Sequence, residues 1–223
     1  MTLFNQALSY DDVLVVPQYS DIESRSEVSL VSELDKDNRF ELPIIASPMD
    51  TVVETEMALA LAELGALGVI HRYNSIRDQR DMVWNVANAA PNKPVAAAIA
   101  ITGDFMERAE ALYNSGATIL CVDVAHGHHI MMKDALRRLR RDLPDDVHIM
   151  AGNVATRKGY EDLADWGAHS VRIGIGGGSI CSTRVQTGHG VPTFQSVLDC
   201  SESEYAGTIP IIADGGIKTS GDI

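Results

Sequence analysis

Short apolar runs recur along this chain, each closed by a turn or polar residue and followed by a stretch with helical spacing. The runs at 42–46, 68–70, 94–101, 118–122, 148–151, 170–173 and 210–213 read as seven buried strands. Residues 105–115, 130–141 and 157–166 read as helices. An Ala- and Leu-rich stretch before Gly65 reads as another, opened by the capping-box spacing of Thr51 and Glu54. Residues 8–17 read as an N-terminal extension with a short strand. Three helices stop at a Gly-Ala pair, at Gly65, Gly116 and Gly167, spaced 51 residues apart. Each interval holds two strand–helix units, which suits a repeated βα crossover and a parallel sheet covered on its outer face. The expected fold is an α/β protein of the (βα)₈ TIM-barrel type with seven of its eight strands present. A doubly wound open sheet is the alternative. The chain stops at 221–223, where a helix would begin. Residues 1–223 are therefore expected to form one barrel domain, incomplete at its C-terminus.

Composition narrows the class. The 223 residues are enough for a sizeable core, and the 45% hydrophobic content contains no run of membrane-spanning length. The first six residues lack the basic-then-apolar pattern of a secretory leader. Three widely spaced cysteines suit free thiols in a cytoplasmic protein. A net charge of −13 argues against a nucleic-acid surface, while a local cradle could still hold one small anion.

Candidate chemistry collects where the strands end, the face on which barrels place their sites. Reading those ends gives Ser47, Met49, His71, Asp123, His126, Asn153, Arg172 and Asp214 to Gly216. The densest stretch is GIGGGSICSTR at 174–184. Its four glycines permit a tight turn that can present N–H groups to a phosphate and carbonyls to a cation, with the Cys181 thiol beside them. Seen alone, it could equally be a glycine-rich loop with a small buried cysteine. Asp123 and Asp214 could be a cap and a turn residue. His126, His128 and His129 read as loop histidines without zinc-ligand spacing, Met131 and Met132 as core, and Cys121 and Cys200 as inert. Arg137, Arg138, Arg140 and Arg141 read as a solvated helix face.

Taken together, LSYDDVL at 8–14, ASPMDTV at 46–52, DVAHGH at 123–128, AGNV at 151–154, the glycine loop and ADGGI at 213–217 resemble the inosine-monophosphate dehydrogenase / guanosine-monophosphate reductase family. The resemblance implies a (βα)₈ barrel and an oxidoreductase acting at C2 of a purine nucleoside monophosphate, with NAD or NADP and a potassium ion, as a homotetramer. It implies Cys181 as the nucleophile and Thr183 as a hydroxyl that helps activate water or ammonia. Ser47, Met49, Asn153, Arg172, Ser179, Asp214 and Gly216 would be on the nucleotide, and Asp123 and Gly174 on the cofactor side. The carbonyls of Gly176, Gly178 and Cys181 would hold potassium. Gly177 stands where the family often carries Pro or Ser. The segment from 77 to 94 is too short for the paired regulatory CBS domains that many of these dehydrogenases insert. The motif at 46–52 leans toward the dehydrogenase; the missing regulatory domains and Thr187-Gly188 lean toward the reductase. The dehydrogenase is the first expectation, the reductase the second. A non-catalytic, nucleotide-binding truncated subunit and a thiol-independent phosphate-binding isomerase are further alternatives.

Overall fold

The computed structural model describes residues 6–179 and 181–223. Residues 1–5, read above for a leader, and Ile180 of the glycine loop lie outside the described residues. A two-stranded antiparallel hairpin, β1 (Ser32–Glu33) and β2 (Arg39–Phe40), comes first. Seven parallel strands follow in chain order: β3 (Ile45–Ala46), β4 (Leu67–Ile70), β5 (Ala96–Ile99), β6 (Ile119–Asp123), β7 (His148–Val154), β8 (Ser170–Ile173) and β9 (Ile211–Ala213). Among the described residues β3 and β9 do not pair with each other, so the sheet is a curled half-barrel with two edges. The expected seven strands are all present, and the open doubly wound order is not what is found.

Side-chain alternation builds two cores, because successive strand residues face opposite sides. Val69, Ala98, Ile119, Cys121 and Met150 point into the barrel, where Leu34 and Phe40 of the hairpin cover them. Ile70, Ile99, Leu120, Val122, Ile149 and Val171 point outward against the helices. Those helices are α1 (Thr55–Glu63), α2 (Ile76–Ala89), α3 (Phe105–Tyr113), α4 (Ile130–Asp142), α5 (Arg157–Asp165), α6 (Thr183–Thr187) and α7 (Thr193–Ser201). The Gly-Ala stops hold: Gly65, Gly116 and Gly167 all have positive φ, as left-handed helix ends require.

The hairpin is pinned by a polar chain on the barrel floor. Asp35 bonds the Nδ1 of His148 on β7, and His148 Nε2 lies 2.8 Å from Ser170 Oγ on β8. His148 and Ser170 are buried. Asp35 also accepts from the Asp37 and Asn38 amides, at 2.9 and 2.8 Å, which shapes the turn between β1 and β2.

Several local readings change. Residues 13–17 form no strand: a 3₁₀ turn at Tyr10–Asp12 is followed by extended, exposed chain with no sheet partner. Thr51 does not cap α1. It sits in a turn at φ 59°, where Val52 and Val53 both donate to the Met49 carbonyl, and Glu54 takes the cap position without a side-chain bond. The first barrel strand shrinks to two residues because Glu41 and Leu42 donate to the Gly65 carbonyl instead, and Pro43 has no N–H. Helix α2, capped by Ser75 on the Asp78 amide at 3.1 Å, was not read from the sequence. The methionine pair divides, with Met132 buried and Met131 exposed.

Candidate functional site

Three strand-end side chains, Ser47, Asp123 and Asp214, converge on one guanidinium. Arg172 is the third residue of β8, on the inward face, and is 5% exposed. Its Nη1 donates to Asp123 Oδ1 at 2.7 Å, and its Nη2 donates to Asp214 Oδ2 at 2.8 Å and to Ser47 Oγ at 3.3 Å. Ser47 Oγ in turn donates to Asp214 Oδ1 at 2.9 Å. Asn153 Nδ2 reaches Asp214 Oδ2 at 2.6 Å and the Gly174 carbonyl at 2.8 Å. Strands β3, β6, β7, β8 and β9 therefore meet through Ser47, Asp123, Asn153, Arg172 and Asp214. Burial penalises the charge on Arg172, but Cys121, Asp214 and Asp123 outweigh it and hold the guanidinium firmly protonated.

Asn153 owes its position to an irregularity. The register between β7 and β8 shifts between Gly152 and Val154, so the residue between them leaves the regular alternation. Its amide nitrogen is committed to Asp214 and Gly174. Its Oδ1 is buried with no partner among the described residues, and can accept a bond from a ligand O–H or N–H.

Above β8 and β9 the backbone itself forms the site. Gly174 has φ 150°, and a Cβ there would lie 2.0 Å from the Asp214 carbonyl oxygen. A Cβ on Gly215 would meet the Gly178 amide nitrogen at 3.0 Å. The glycine loop and the Asp214-Gly215-Gly216 turn thus pack backbone to backbone, an approach that side chains would forbid. Ile175 bridges Val191, closing the loop, and the Cys181 amide donates to the Gly178 carbonyl at 3.1 Å. Cys181 is half-buried at the entrance to α6. The Thr183 hydroxyl and amide, the Gly176 amide and the nearby Arg184 charge hold its thiol below the ordinary cysteine range.

The structure brings together Ser47, Asp123, Asn153, Arg172, Gly174 and Asp214, and sets Gly176, Gly178, Cys181 and Thr183 in the adjoining loop. Gly216 lines that junction at φ 82°. Ser179 is exposed on the loop, and Met49 is exposed in the turn after β3 rather than within the polar cluster. His126 has its ring 6.5 Å from that of His128, whose Nε2 pairs with Asp162 at 2.7 Å. His129 caps α4. Among the described residues, none of the three histidines hydrogen-bonds to the polar cluster. Two further residues support the cluster. Cys121 is no nucleophile, since burial pushes its thiol up to about 11, but its sulfur accepts from Arg172 Nη1 at 3.5 Å. Its position two residues before Asp123, on the same strand face, is the signal that could have shown this. Arg72 donates to the Asp123 carbonyl at 3.4 Å.

A mildly acidified thiol beside a glycine turn, next to a buried Arg–carboxylate cluster, is suited to nucleophilic attack on an oriented anionic ligand. Residues 7–223 match the family model of the IMP dehydrogenase / GMP reductase domain. The chain is similar to the inosine-5'-monophosphate dehydrogenase of Nitrosopumilus maritimus, with 30% identity over 98% of this chain and 71% of that protein. It is also similar to the GMP reductase of Vibrio parahaemolyticus, with 35% identity over 97% of this chain and 63% of that protein. Among solved structures, the GMP reductase from Trypanosoma brucei in complex with guanosine 5'-triphosphate superposes with a TM-score of 0.90 at 26% identity, covering 99% of this chain and 83% of that one. The chain spans about two thirds of the length of these sequence relatives. It belongs to the IMP dehydrogenase / GMP reductase family.

Proposed function

We propose that this member of an oxidoreductase family oxidises inosine monophosphate at C2, with Cys181 as the nucleophile. The observation that carries the reading is the half-buried Cys181 thiol at the entrance to α6, on a glycine loop packed directly against Asp214-Gly215-Gly216. The phosphate would lie on the loop at Ser179 and Gly216, and the ribose diol would bond the Asp214 carboxylate. Ser47 and Met49 would face the base. Asn153 would offer its open Oδ1 to the ligand, and Arg172 would fix the Asp214 carboxylate in place.

The chemistry follows from the thiolate. Its sulfur would bond C2 of the base and leave the C2 hydrogen able to depart as hydride, for which a bound nicotinamide would supply the acceptor. Water then attacks C2, the C–S bond breaks, and the sulfur departs as thiolate while the water protons are lost to solvent. Thr183, beside the sulfur, would orient that water. The bound nicotinamide nucleotide would supply the hydride-accepting ring, with Asp123 and Gly174 on its side of the site. The carbonyls of Gly176, Gly178 and Cys181 are neutral oxygen donors of the kind a potassium ion takes, and such an ion would brace the turn. The Gly178 carbonyl accepts one bond from Cys181 and keeps a second lone pair.

The second reading, reduction of guanosine monophosphate with release of ammonia, uses the same sulfur adduct in reverse. The 35% identity to a GMP reductase favours keeping it. Incubating the protein with inosine monophosphate plus NAD, and separately with guanosine monophosphate plus NADPH, while following nicotinamide absorbance, separates the two. The proposal expects signal from the first pair and its loss in Cys181→Ala. Signal from the second pair alone would replace the dehydrogenase reading with the reductase one. Binding of either nucleotide without turnover would make the chain a non-catalytic nucleotide-binding subunit.

A further inference from the structure

The Thr193 hydroxyl is out of place for a settled structure. Thr193 opens α7 and is 3% exposed, yet its Oγ1 has no hydrogen-bond partner among the described residues. Leaving a buried hydroxyl unpaired is destabilising, so such a group points to a partner that arrives later.

Its surroundings identify where that partner lies. A Cβ built on Gly177 would sit 2.1 Å from Thr193 Oγ1, one on Gly174 3.5 Å away, and one on Gly216 3.7 Å away. The unpaired hydroxyl therefore faces the junction of the glycine loop with the Asp214-Gly215-Gly216 turn. A Cβ on Gly177 would also lie 3.6 Å from the Gly215 carbonyl oxygen. The helix behind the hydroxyl is fixed: Ser196 donates to the Pro192 carbonyl, and the Gln195 amide donates to Leu8.

We propose that Thr193 is a positioning residue for the glycine loop, its hydroxyl pairing with loop backbone only when a phosphate-bearing ligand is seated. In the free protein the hydroxyl makes no hydrogen bond among the described residues. In the loaded protein it donates to a backbone carbonyl around Gly177, which holds Ser179 and Cys181 in register with the ligand. The inference rests on the proposed nucleotide site for its ligand and on the orphaned hydroxyl for its mechanism.

The test compares Thr193→Val, which keeps the shape and removes the hydroxyl, with Thr193→Ser, which keeps the hydroxyl. Thermal midpoint and Cys181 alkylation rate are measured in free protein and with inosine monophosphate, guanosine monophosphate or inorganic phosphate. Thr193→Val is expected to melt no lower than wild type when free and to alkylate at the same rate. It should bind the ligand roughly fivefold to tenfold more weakly, the worth of about one hydrogen bond. Thr193→Ser should restore affinity. A Thr193→Val variant that melts lower when free but binds as tightly as wild type would overturn the proposal and make the hydroxyl structural. If wild type responds to inorganic phosphate but to neither nucleotide, the purine reading fails, and the same comparison with phosphate still decides the role of Thr193. A wild type that responds to none of the three overturns both.

Discussion

Arg172 on β8 holds Asp214, just beyond β9, through a 2.8 Å bond from Nη2 to Oδ2, while its other terminal nitrogen holds Asp123 on β6. One buried cation therefore spans two carboxylates from different strands. It fixes the carboxylate proposed to hold the ribose and the one proposed to face the cofactor.

Replacing Arg172 by Leu leaves both the Asp123 and Asp214 carboxylates without their cation. Breaking a buried pair from one side costs roughly 3–5 kcal/mol, so chemical denaturation should report a loss of that order. Arg172→Lys keeps the charge but loses the planar fork that reaches both partners. It should recover part of the stability and little of the ligand affinity. A Leu variant as stable as wild type would show that the pair does not organise these strand ends.

The glycine loop tolerates no side chain at its first residue. Gly174→Ala would drive a methyl into the Asp214 carbonyl at a backbone angle that L residues avoid. A stability loss of roughly 3 kcal/mol is expected, together with loss of nucleotide binding, both readable in one thermal-shift titration. Gly207→Ala, where a Cβ meets nothing, is the control and should change neither.

Cys181 should react as a thiolate at lower pH than an ordinary cysteine, because Thr183 is the largest influence lowering its pKa. The alkylation rate rises as the thiol loses its proton. The wild-type pH profile should therefore lie to the acid side of that of an unperturbed thiol, and Thr183→Val should move it back toward alkaline pH. Cys121 and Cys200, pushed up to about 11 and about 12 chiefly by burial, should stay unmodified across the same range.

The barrel floor should make the fold acid-sensitive. His169, just before β8, has its ring 5.3 Å from that of His148 and accepts the Ile149 amide at Nδ1; burial, the nearby Arg140 charge and His148 lower its pKa to about 4, and burial lowers that of His148. The unfolded chain then binds protons that the native state refuses, so stability falls as pH drops below about 6.5, with the His169 part lost by about pH 4. Asp35 acts in the same direction: burial opposes its charge, but the Asn38, Asp37 and His148 bonds prevail and depress its pKa. Its contribution is present above the unfolded carboxylate value and is lost as pH falls through the native one. His169→Asn should flatten the stability profile between about pH 6.5 and 4. An unchanged profile would remove His169 from the account.

The strands and their order were legible because each is a continuous apolar run, and the Gly-Ala stops mark the helix ends. The hairpin was not. Between Ser32 and Phe40 only Leu34 and Phe40 are buried hydrophobics, and the bond that seats it joins Asp35 to a histidine 113 residues away. The failed cap at Thr51 has a local origin, since the turn closed on the Met49 carbonyl holds Thr51 at φ 59°, away from the extended backbone a helix cap adopts. At the site, the strand-end polar residues could be read one at a time. Their joint dependence on Arg172 could not, because it needs the inward faces of β3, β6, β8 and β9 superimposed. Thr193 carried no signal at all: it is an ordinary first helical residue after a proline until the glycine loop folds against it.

The central claim is a covalent bond between Cys181 and the purine. The most direct measurement quenches the protein with acid during reaction with inosine monophosphate and NAD, then maps peptide masses. The account predicts one nucleotide on the peptide carrying Cys181, absent without NAD and absent from Cys181→Ala. Turnover with no adduct on that peptide, or turnover that survives Cys181→Ala, would contradict it.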